Sequence, residues 1–155
     1  MRMNKIALLP LLVACCAAAA GNGALSLKLT VLTPSVKAGS QIGIRVTTTN
    51  ETDHLITYHN TNLCNYSFKV LTGAGTPVSE TKVKKALNCG GKVDVKITGR
   101  NIIVTLKPGE SSSENIVLTE LYNMSQPGKY SIQVDRKFPG IGRFSSNVAS
   151  VDVKP

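Results

Sequence analysis

Several features that mark common protein classes are missing from this sequence. It has no tryptophan, and aromatic residues make up only 5% of it. No Walker loop, dinucleotide fingerprint or Gly-x-Ser-x-Gly elbow occurs, so the usual sequence evidence for a nucleotide-binding protein or a serine hydrolase is absent. Nothing in the chain approaches the run of about 20 apolar residues that a transmembrane helix needs. We therefore predict a protein that is not an enzyme, with no catalytic residue, no cofactor and no membrane-spanning helix.

Acidic residues are also few. Nine Asp and Glu residues stand against eighteen Lys and Arg residues. A basic balance of this kind can favour anionic lipid headgroups, cell-wall polymers or nucleic acid. The basic residues here are scattered and are not interleaved with aromatic ones, so a solvated basic surface is the simpler interpretation. No nucleic-acid partner is predicted.

The first twenty residues have the pattern of an export signal. Arg2 and Lys5 precede an apolar run over residues 6–14, and small residues fill positions 15–20. A basic start, a short apolar middle and small residues at a cleavage site are what the export machinery recognises. We therefore predict a signal peptide over residues 1–20 and a single domain over residues 25–155, which is large enough to enclose a core.

Two cleavage sites fit this segment. The sequence Leu-Val-Ala-Cys ending at Cys15 resembles a bacterial lipobox, in which the cysteine is diacylated and becomes the new N-terminus. The signal would then be residues 1–14, and residues 15–24 would form a short Ala- and Gly-containing tether between lipid and domain. Three alanines ending at Ala20 suit ordinary signal peptidase equally well. The predicted location is thus a membrane-anchored lipoprotein of the cell envelope, or the periplasm or extracellular space after a cut at Ala20.

Cys64 and Cys89 are the cysteines that remain beyond the signal region. Because an exported protein enters an oxidising compartment, a disulfide between them is the simplest prediction. A metal site or a reactive thiol is the alternative, but no Cys-x-x-Cys or Cys/His spacing supports either. His54 and His59 are the only histidines, and their spacing to Cys64 matches no metal signature, so no metal is predicted.

The domain region alternates apolar and polar residues with a period of two, which is typical of half-buried strands. Gly, Pro and Asn separate the alternating stretches, a pattern that favours an all-β antiparallel sandwich of about nine short strands. One short helix is predicted between Pro77 and Leu87, with Thr76 as its cap, and a tight hairpin turn over residues 98–101. The predicted strands are residues 25–31, 42–48, 55–59, 66–71, 92–97, 101–106, 115–118, 129–134 and 147–153.

The last third of the chain resembles the end of bacterial exported immunoglobulin-like domains. The segments Leu-Lys-Pro-Gly-Glu-Ser (106–111) and Gln-Pro-Gly-Lys-Tyr-Ser-Ile-Gln-Val (126–134) carry the resemblance. It implies an immunoglobulin-like sandwich in which Tyr130 is a corner tyrosine whose hydroxyl bonds back to the backbone, while Ile132 and Val134 point into the core. The tryptophan usual in immunoglobulin domains is missing here.

A weaker resemblance links the chain to BsuPI-type proteinase inhibitors. It rests on the strand ending in Thr-Asn at Asn50 and on the Leu-x-Pro-Gly-Glu turn. Those inhibitors act in the cytoplasm, so the export signal is a departure. The resemblance implies that a loop, either residues 72–88 or residues 138–143, enters a proteinase cleft.

Two functions are therefore predicted from the sequence. The first is a non-catalytic binding or structural module of the bacterial cell envelope, lipid-anchored, whose partner is an envelope protein or polymer of unknown identity. The second is a secreted proteinase inhibitor of the BsuPI type. A sandwich fold is shared by many functions, so the fold gives the inhibitor no special support.

Overall fold

The computed structural model describes residues 23–60, 63–87 and 102–155. These residues contain ten strands, one short helix and two 3-10 turns, which confirms the predicted all-β sandwich. Whether the sandwich is of the immunoglobulin type stays a prediction. The strands are β1 (Leu25–Val31), β2 (Ser35–Lys37), β3 (Gly43–Asn50), β4 (Ile56–Asn60), β5 (Tyr66–Thr72), β6 (Ile102–Leu106), β7 (Ser111–Val117), β8 (Gly128–Phe138), β9 (Gly142–Ser145) and β10 (Ala149–Lys154), and the helix is α1 (Lys82–Ala86).

The strands form two sheets and one ribbon. Sheet A has the order β1-β3-β7, and sheet B has the order β2-β10-β8-β5, with β9 also paired to β8. Ribbon C consists of β4 and β6 alone. Every pairing is antiparallel except that of β2 with β10, which is parallel.

Alternation along the strands explains which residues enter the core. In β1 every second residue from Leu25 to Val31 is buried, and the residues between them are exposed. Strand β8 shows the same period over its longer length, because Tyr130, Ile132 and Val134 are buried between partly exposed neighbours. Side chains on opposite faces of a strand alternate, so the apolar half of each strand lies between the sheets.

Two segments whose sequence pattern favours turns form strands in the structure. The triple serine Ser111–Ser113 has the composition of a solvated turn, but it begins β7 and pairs with Thr49–Thr47 of β3. Hydroxyl groups bond across the pair, from Thr47 to Ser113 and from Thr49 to Ser111, each at 2.8 Å. The segment Ser35–Lys37 is β2, and the turn begins only after it. Cross-strand hydroxyl pairs stabilise a sheet without apolar alternation, which is why the sequence pattern does not reveal the start of β7.

The helix is shorter and later than predicted. It spans Lys82–Ala86, and its cap is Thr81, whose Oγ1 accepts a hydrogen bond from the Lys84 backbone N at 3.2 Å. Thr76 and Pro77 instead lie along the edge of β5, where the Val78 N–H donates to the Val70 carbonyl at 2.9 Å. The predicted start of the helix is wrong because proline fits at the edge of a sheet as well as in the first turn of a helix, and Pro77 lies at the sheet edge.

Several predictions fall outside the described residues. They are the signal peptide, Cys15, the strand over residues 92–97, the hairpin turn over residues 98–101, and Cys89. Cys64 lies in the 3-10 turn Leu63–Asn65, and its Sγ is 3.7 Å from the carbonyl oxygen of Leu87. Leu87 precedes Cys89 by two residues, so this contact is compatible with the predicted disulfide, which stays a prediction. Within the described parts of the chain, no helix is both long and apolar enough to cross a membrane.

The two motifs shared with BsuPI-type inhibitors meet at Asn50. Its buried side-chain amide donates to the carbonyls of His54 and Leu106 at 2.7 and 3.0 Å, and its Oδ1 accepts from Thr52. The Gly109 N–H donates to the Asn50 carbonyl at 2.9 Å. Asn50 therefore joins the end of β3 to the turn between β6 and β7. These residues maintain the fold, because a buried amide must have all its polar atoms satisfied.

Candidate functional site

Within residues 23–60, 63–87 and 102–155, the sandwich is open along one side of β7. A cleft of about 410 Å³ runs beside this strand. One wall is the β7 segment 114–117, and the other wall comes from the end of β4 and the 3-10 turn after it. The lining residues are Asn60, Leu63, Glu114, Asn115, Ile116, Val117, Glu120 and Leu121. Both apolar side chains and carboxylates therefore face the cleft.

The β7 edge carries backbone groups that point away from sheet A. The Leu118 N–H donates to the Ile42 carbonyl, and the Asn50 N–H donates to the Glu110 carbonyl. In an antiparallel pair, hydrogen-bonded and non-hydrogen-bonded positions alternate. Since residues 110 and 118 bond toward β3, the N–H and C=O groups of residues 111, 113, 115 and 117 point outward. Strand β7 pairs only with β3 among the described residues.

Two other strand edges in the described part of the chain, those of β1 and β5, are covered. The side chain of Asn147 accepts from the Leu29 N–H at 2.8 Å and donates to the Leu29 carbonyl at 3.1 Å, so it takes the place of a neighbouring strand on β1. The edge of β5 is covered by Thr76 and Val78, which bond to Thr72 and Val70. Proteins commonly protect strand edges in this way, because an open edge pairs with other chains. The seven-residue edge of β7 has no such cover within the described ranges.

A buried arginine bonds to two of the residues that line the cleft. Arg136 of β8 is only 1% exposed, and its Nη1 donates to Glu114 Oε1 at 2.9 Å and to Thr48 Oγ1 at 3.3 Å. Its Nη2 donates to Asn60 Oδ1 at 2.8 Å. Because these three partners belong to β7, β3 and β4, the guanidinium connects sheet A and ribbon C to sheet B.

Three aromatic rings surround the same guanidinium. Its Cζ lies 4.5 Å from the ring centroid of Phe138, 4.6 Å from that of Tyr66 and 5.3 Å from that of Tyr58. A cation above an aromatic face is attracted by the ring quadrupole, and the attraction grows when water is excluded. The hydroxyls of Tyr58 and Tyr66 and the Nε of Arg136 are buried, and no described residue is hydrogen-bonded to them. The rings and the hydrogen bonds to both terminal nitrogens together offset the desolvation of the cation.

Burial also perturbs the tyrosines near this site. It raises the pKa of the Tyr66 phenol well above its usual range; Arg136 opposes this increase, and the Glu114 carboxylate adds to it. Burial likewise raises the pKa of Tyr122, with a smaller contribution from Glu80. The Tyr122 hydroxyl donates to the Phe68 carbonyl at 3.2 Å. Tyr66 and Tyr122 are therefore neutral at physiological pH.

The residues that the sequence singled out lie outside the lining of the cleft, with the exception of one pair of glutamates. Tyr130 donates from its hydroxyl to the Gln126 carbonyl at 2.7 Å, which is the backbone contact expected of a corner tyrosine. The His54 side chain is 68% exposed and contacts Asp53 at 3.1 Å, which lowers the pKa of that carboxyl. His59 lies on β4. Among residues 23–60, 63–87 and 102–155, no group of three potential metal ligands is found.

The exception is Glu114 and Glu120, which the sequence offers as a possible carboxylate pair, although strand positions this polar usually face solvent. The strand pattern places Glu114 at a solvent-facing position, which is wrong, because it points inward to Arg136 and is only 26% exposed. Both glutamates line the cleft. The sequence prediction also misses Arg136, since the predicted strand ends at Val134. The signal is present: Tyr130, Ile132, Val134, Arg136 and Phe138 continue one alternating series, and that series places the arginine inward.

Comparisons with known proteins add little. No family model matches the chain, and no curated protein matches it. Among solved structures, the chain is similar to one described as BslA, a bacterial hydrophobin, with a TM-score of 0.35 and 13% sequence identity. The match covers 86% of this chain and 97% of that one. A likeness this distant does not transfer a function.

We expect Arg136→Ala to lower the free energy of unfolding by about 3–5 kcal/mol, because it leaves Glu114 without its cation and a void among three rings. Chemical denaturation measures the change. The matched control is Arg45→Ala, since Arg45 is exposed on β3 and makes one side-chain bond, to Asn115 at 3.1 Å. That control should change stability by no more than about 0.5 kcal/mol. An equally small decrease in the free energy of unfolding in both variants would show that the buried cation does not contribute to stability.

Alkaline pH should destabilise the protein through its buried tyrosines. Unfolding returns the Tyr66 phenol to a pKa of about 10, so the unfolded state releases its proton first and stability falls as the pH rises above that value. Phenolate absorbance and circular dichroism, followed together, measure the effect. Tyr66 and Tyr122 should ionise only as the fold is lost. Full ionisation of all four tyrosines near pH 10 with the fold intact would contradict the burial described here.

Proposed function

We propose that this protein is a non-catalytic binding module of the bacterial cell envelope that holds an extended segment of a partner protein against β7. The observation that carries the proposal is the uncovered β7 edge beside a lined cleft. Extended peptides bind to open sheet edges by adding a strand, with backbone hydrogen bonds providing affinity and pockets for alternate side chains providing specificity. In the described residues, an open strand edge and a cleft that could hold side chains lie on the same side of this sandwich.

The cleft lining indicates the chemistry of the partner segment. Leu63, Ile116 and Leu121 supply apolar contacts, while Glu114 and Glu120 supply negative charge. A segment that alternates apolar residues with a lysine or arginine would match both. Glu114 already pairs with Arg136, so Glu120 is the carboxylate available to attract the basic side chain of a partner.

The arrangement of Glu114 supports a binding role. Its carboxylate accepts a hydrogen bond from a cation that is 1% exposed, which ties it to a structural contact. The same carboxylate lines the cleft, so its bond to Arg136 holds that wall of the proposed binding site in place.

The inhibitor function receives less support. The residues shared with BsuPI-type inhibitors meet at Asn50, where they join strands and are engaged with one another. One of the candidate loops, residues 138–143, is a tight hairpin in which the Ile141 N–H donates to the Phe138 carbonyl at 3.0 Å. A loop that enters a proteinase cleft is extended, and this one is folded back on itself.

We also propose that the protein is exported and anchored by acylation of Cys15, with a disulfide between Cys64 and Cys89. The intact mass of the mature protein, recovered separately from membrane and soluble fractions, tests this. The expected result is a membrane-bound chain that begins at diacylated Cys15 and gains two hydrogens on reduction. A soluble chain that begins at Gly21 would contradict the anchor, and no mass change on reduction would contradict the disulfide.

Blocking the β7 edge should abolish peptide binding. Ser113→Pro removes an outward N–H at an edge position, where a strand tolerates proline, whereas Ser113→Ala keeps the N–H and is the matched control. Ten-residue peptides tiled from the envelope proteins of the source bacterium serve as probes. We expect peptides that bind the wild-type protein and the alanine variant to bind the proline variant at least about tenfold more weakly.

Amide hydrogen exchange provides a second measurement that needs no variant. On peptide binding, the amides of Ser113, Asn115 and Val117 should become protected, because these are the outward groups of β7. Unchanged exchange at all three amides, or equal peptide binding by the proline variant, would overturn the edge-binding proposal.

A further inference from the structure

Two basic side chains face each other at the end of sheet B. Lys137 of β8 and Arg143 of β9 are direct cross-strand partners, and both are exposed. Like charges directly opposite on neighbouring strands destabilise the pair. A hairpin that places two cations opposite each other therefore carries an unfavourable interaction that an anion would relieve.

No carboxylate in the described part of the chain pairs with these cations. The ion pairs found there are His54–Asp53, Arg136–Glu114 and Lys154–Asp152. Asp135 lies on the same face, opposite Ser145, but it is not within 4.0 Å of a basic nitrogen. Both Lys137 and Arg143 are thus available to an external anion.

Packing and a tight turn hold in place the hairpin backbone that carries the two cations. Phe138 is buried in the core, and the ring of Phe144 packs against it at a centroid distance of 5.8 Å. Gly140 has a φ of 79°, a left-handed conformation that closes the turn tightly. A shallow hollow of about 390 Å³ is lined by Phe138 and the turn residues 140–142 together with Lys137 and Arg143. An anion would bind to a preformed surface, which costs little conformational entropy.

The hairpin also lies where the chain enters the domain. Gly23 packs against the Phe144 ring so closely that a Cβ on Gly23 would lie 2.8 Å from that ring. Cys15 precedes Gly23 by eight residues. Eight residues reach at most about 27 Å, so an acyl chain on Cys15 would keep the hairpin near the membrane surface.

We propose that Lys137 and Arg143 bind the anionic phospholipid headgroups of the membrane to which the protein is anchored. The proposal rests on the proposed export and anchor, since they bring the hairpin to a bilayer. A guanidinium binds phosphate oxygens through two parallel hydrogen bonds, and a lysine adds a point charge beside it. The contact orients the domain, with the hairpin toward the bilayer.

The test uses full-length chains that carry Cys15→Ser and Cys16→Ser, so that the mature protein has no acyl group whatever its natural processing. Cosedimentation compares vesicles of phosphatidylcholine with vesicles that contain phosphatidylglycerol as well. A basic side chain near an anionic surface strengthens binding about fivefold, so two should give a preference of about 30-fold for the anionic vesicles. Higher salt should reduce that preference, since it screens exposed charges.

The informative comparison is between two variants with the same net charge. Lys137→Gln with Arg143→Gln should abolish the preference, whereas Lys82→Gln with Lys129→Gln, at exposed positions on α1 and at the far end of β8, should retain most of it. Circular dichroism checks that both variants fold. Equal losses in the two variants, or no preference in the parent, would overturn the proposal. Binding to soluble polyphosphate without binding to vesicles would also overturn it. Because no acyl group is present, none of these outcomes depends on the anchor itself.

Discussion

The structure depends on one buried cation. The guanidinium of Arg136 is almost completely removed from water, and such a charge is tolerated only when hydrogen bonds and polarizable groups replace the water. Its hydrogen-bond partners lie on β3, β4 and β7, and the rings around it lie on β4, β5 and β8. Sheet A, sheet B and ribbon C must therefore hold a fixed arrangement around this side chain. A shift of one layer would remove hydrogen bonds from this buried charge, so we expect the arginine to disfavour other arrangements of the layers.

The cleft is a consequence of the same arrangement. Strand β6 pairs with β4 and not with β7, which leaves β7 as the last strand of sheet A. Asn50 fixes the turn between β6 and β7, so β6 is held away from the open edge. Glu114, which lines the cleft, bonds to the buried Arg136 and keeps this side of the sandwich polar. We propose this open edge beside the cleft as the binding surface, whereas the edges of β1 and β5 are covered by other described residues.

Alternation of apolar and polar residues makes some strands predictable from sequence, whereas contacts between distant residues are not. Strand β1 is predicted because all its inward residues are apolar, and β3 because its inward residues Ile44 and Val46 follow Ile42 in an alternating series. Strand β7 is predicted too short because Ser111–Ser113 pack by hydroxyl pairing, which leaves no apolar signal. Arg136 is missed because a charged residue that interrupts an alternating apolar series looks like the end of the strand. The partners that allow it to be buried are far away in the sequence. Glu114, one of those partners, is 22 residues away and is predicted to face solvent for the same reason.

The measurement that tests the central role of Arg136 most directly is NMR of the arginine guanidinium protons in the folded wild-type protein. A guanidinium that donates from both terminal nitrogens and is enclosed by rings should rotate slowly and exchange slowly with water. We therefore predict separate, long-lived terminal NH signals for Arg136 at neutral pH, while the exposed Arg45 gives averaged signals in the same spectrum. Averaged, fast-exchanging signals for Arg136 would contradict a fixed, buried cation that connects the three layers.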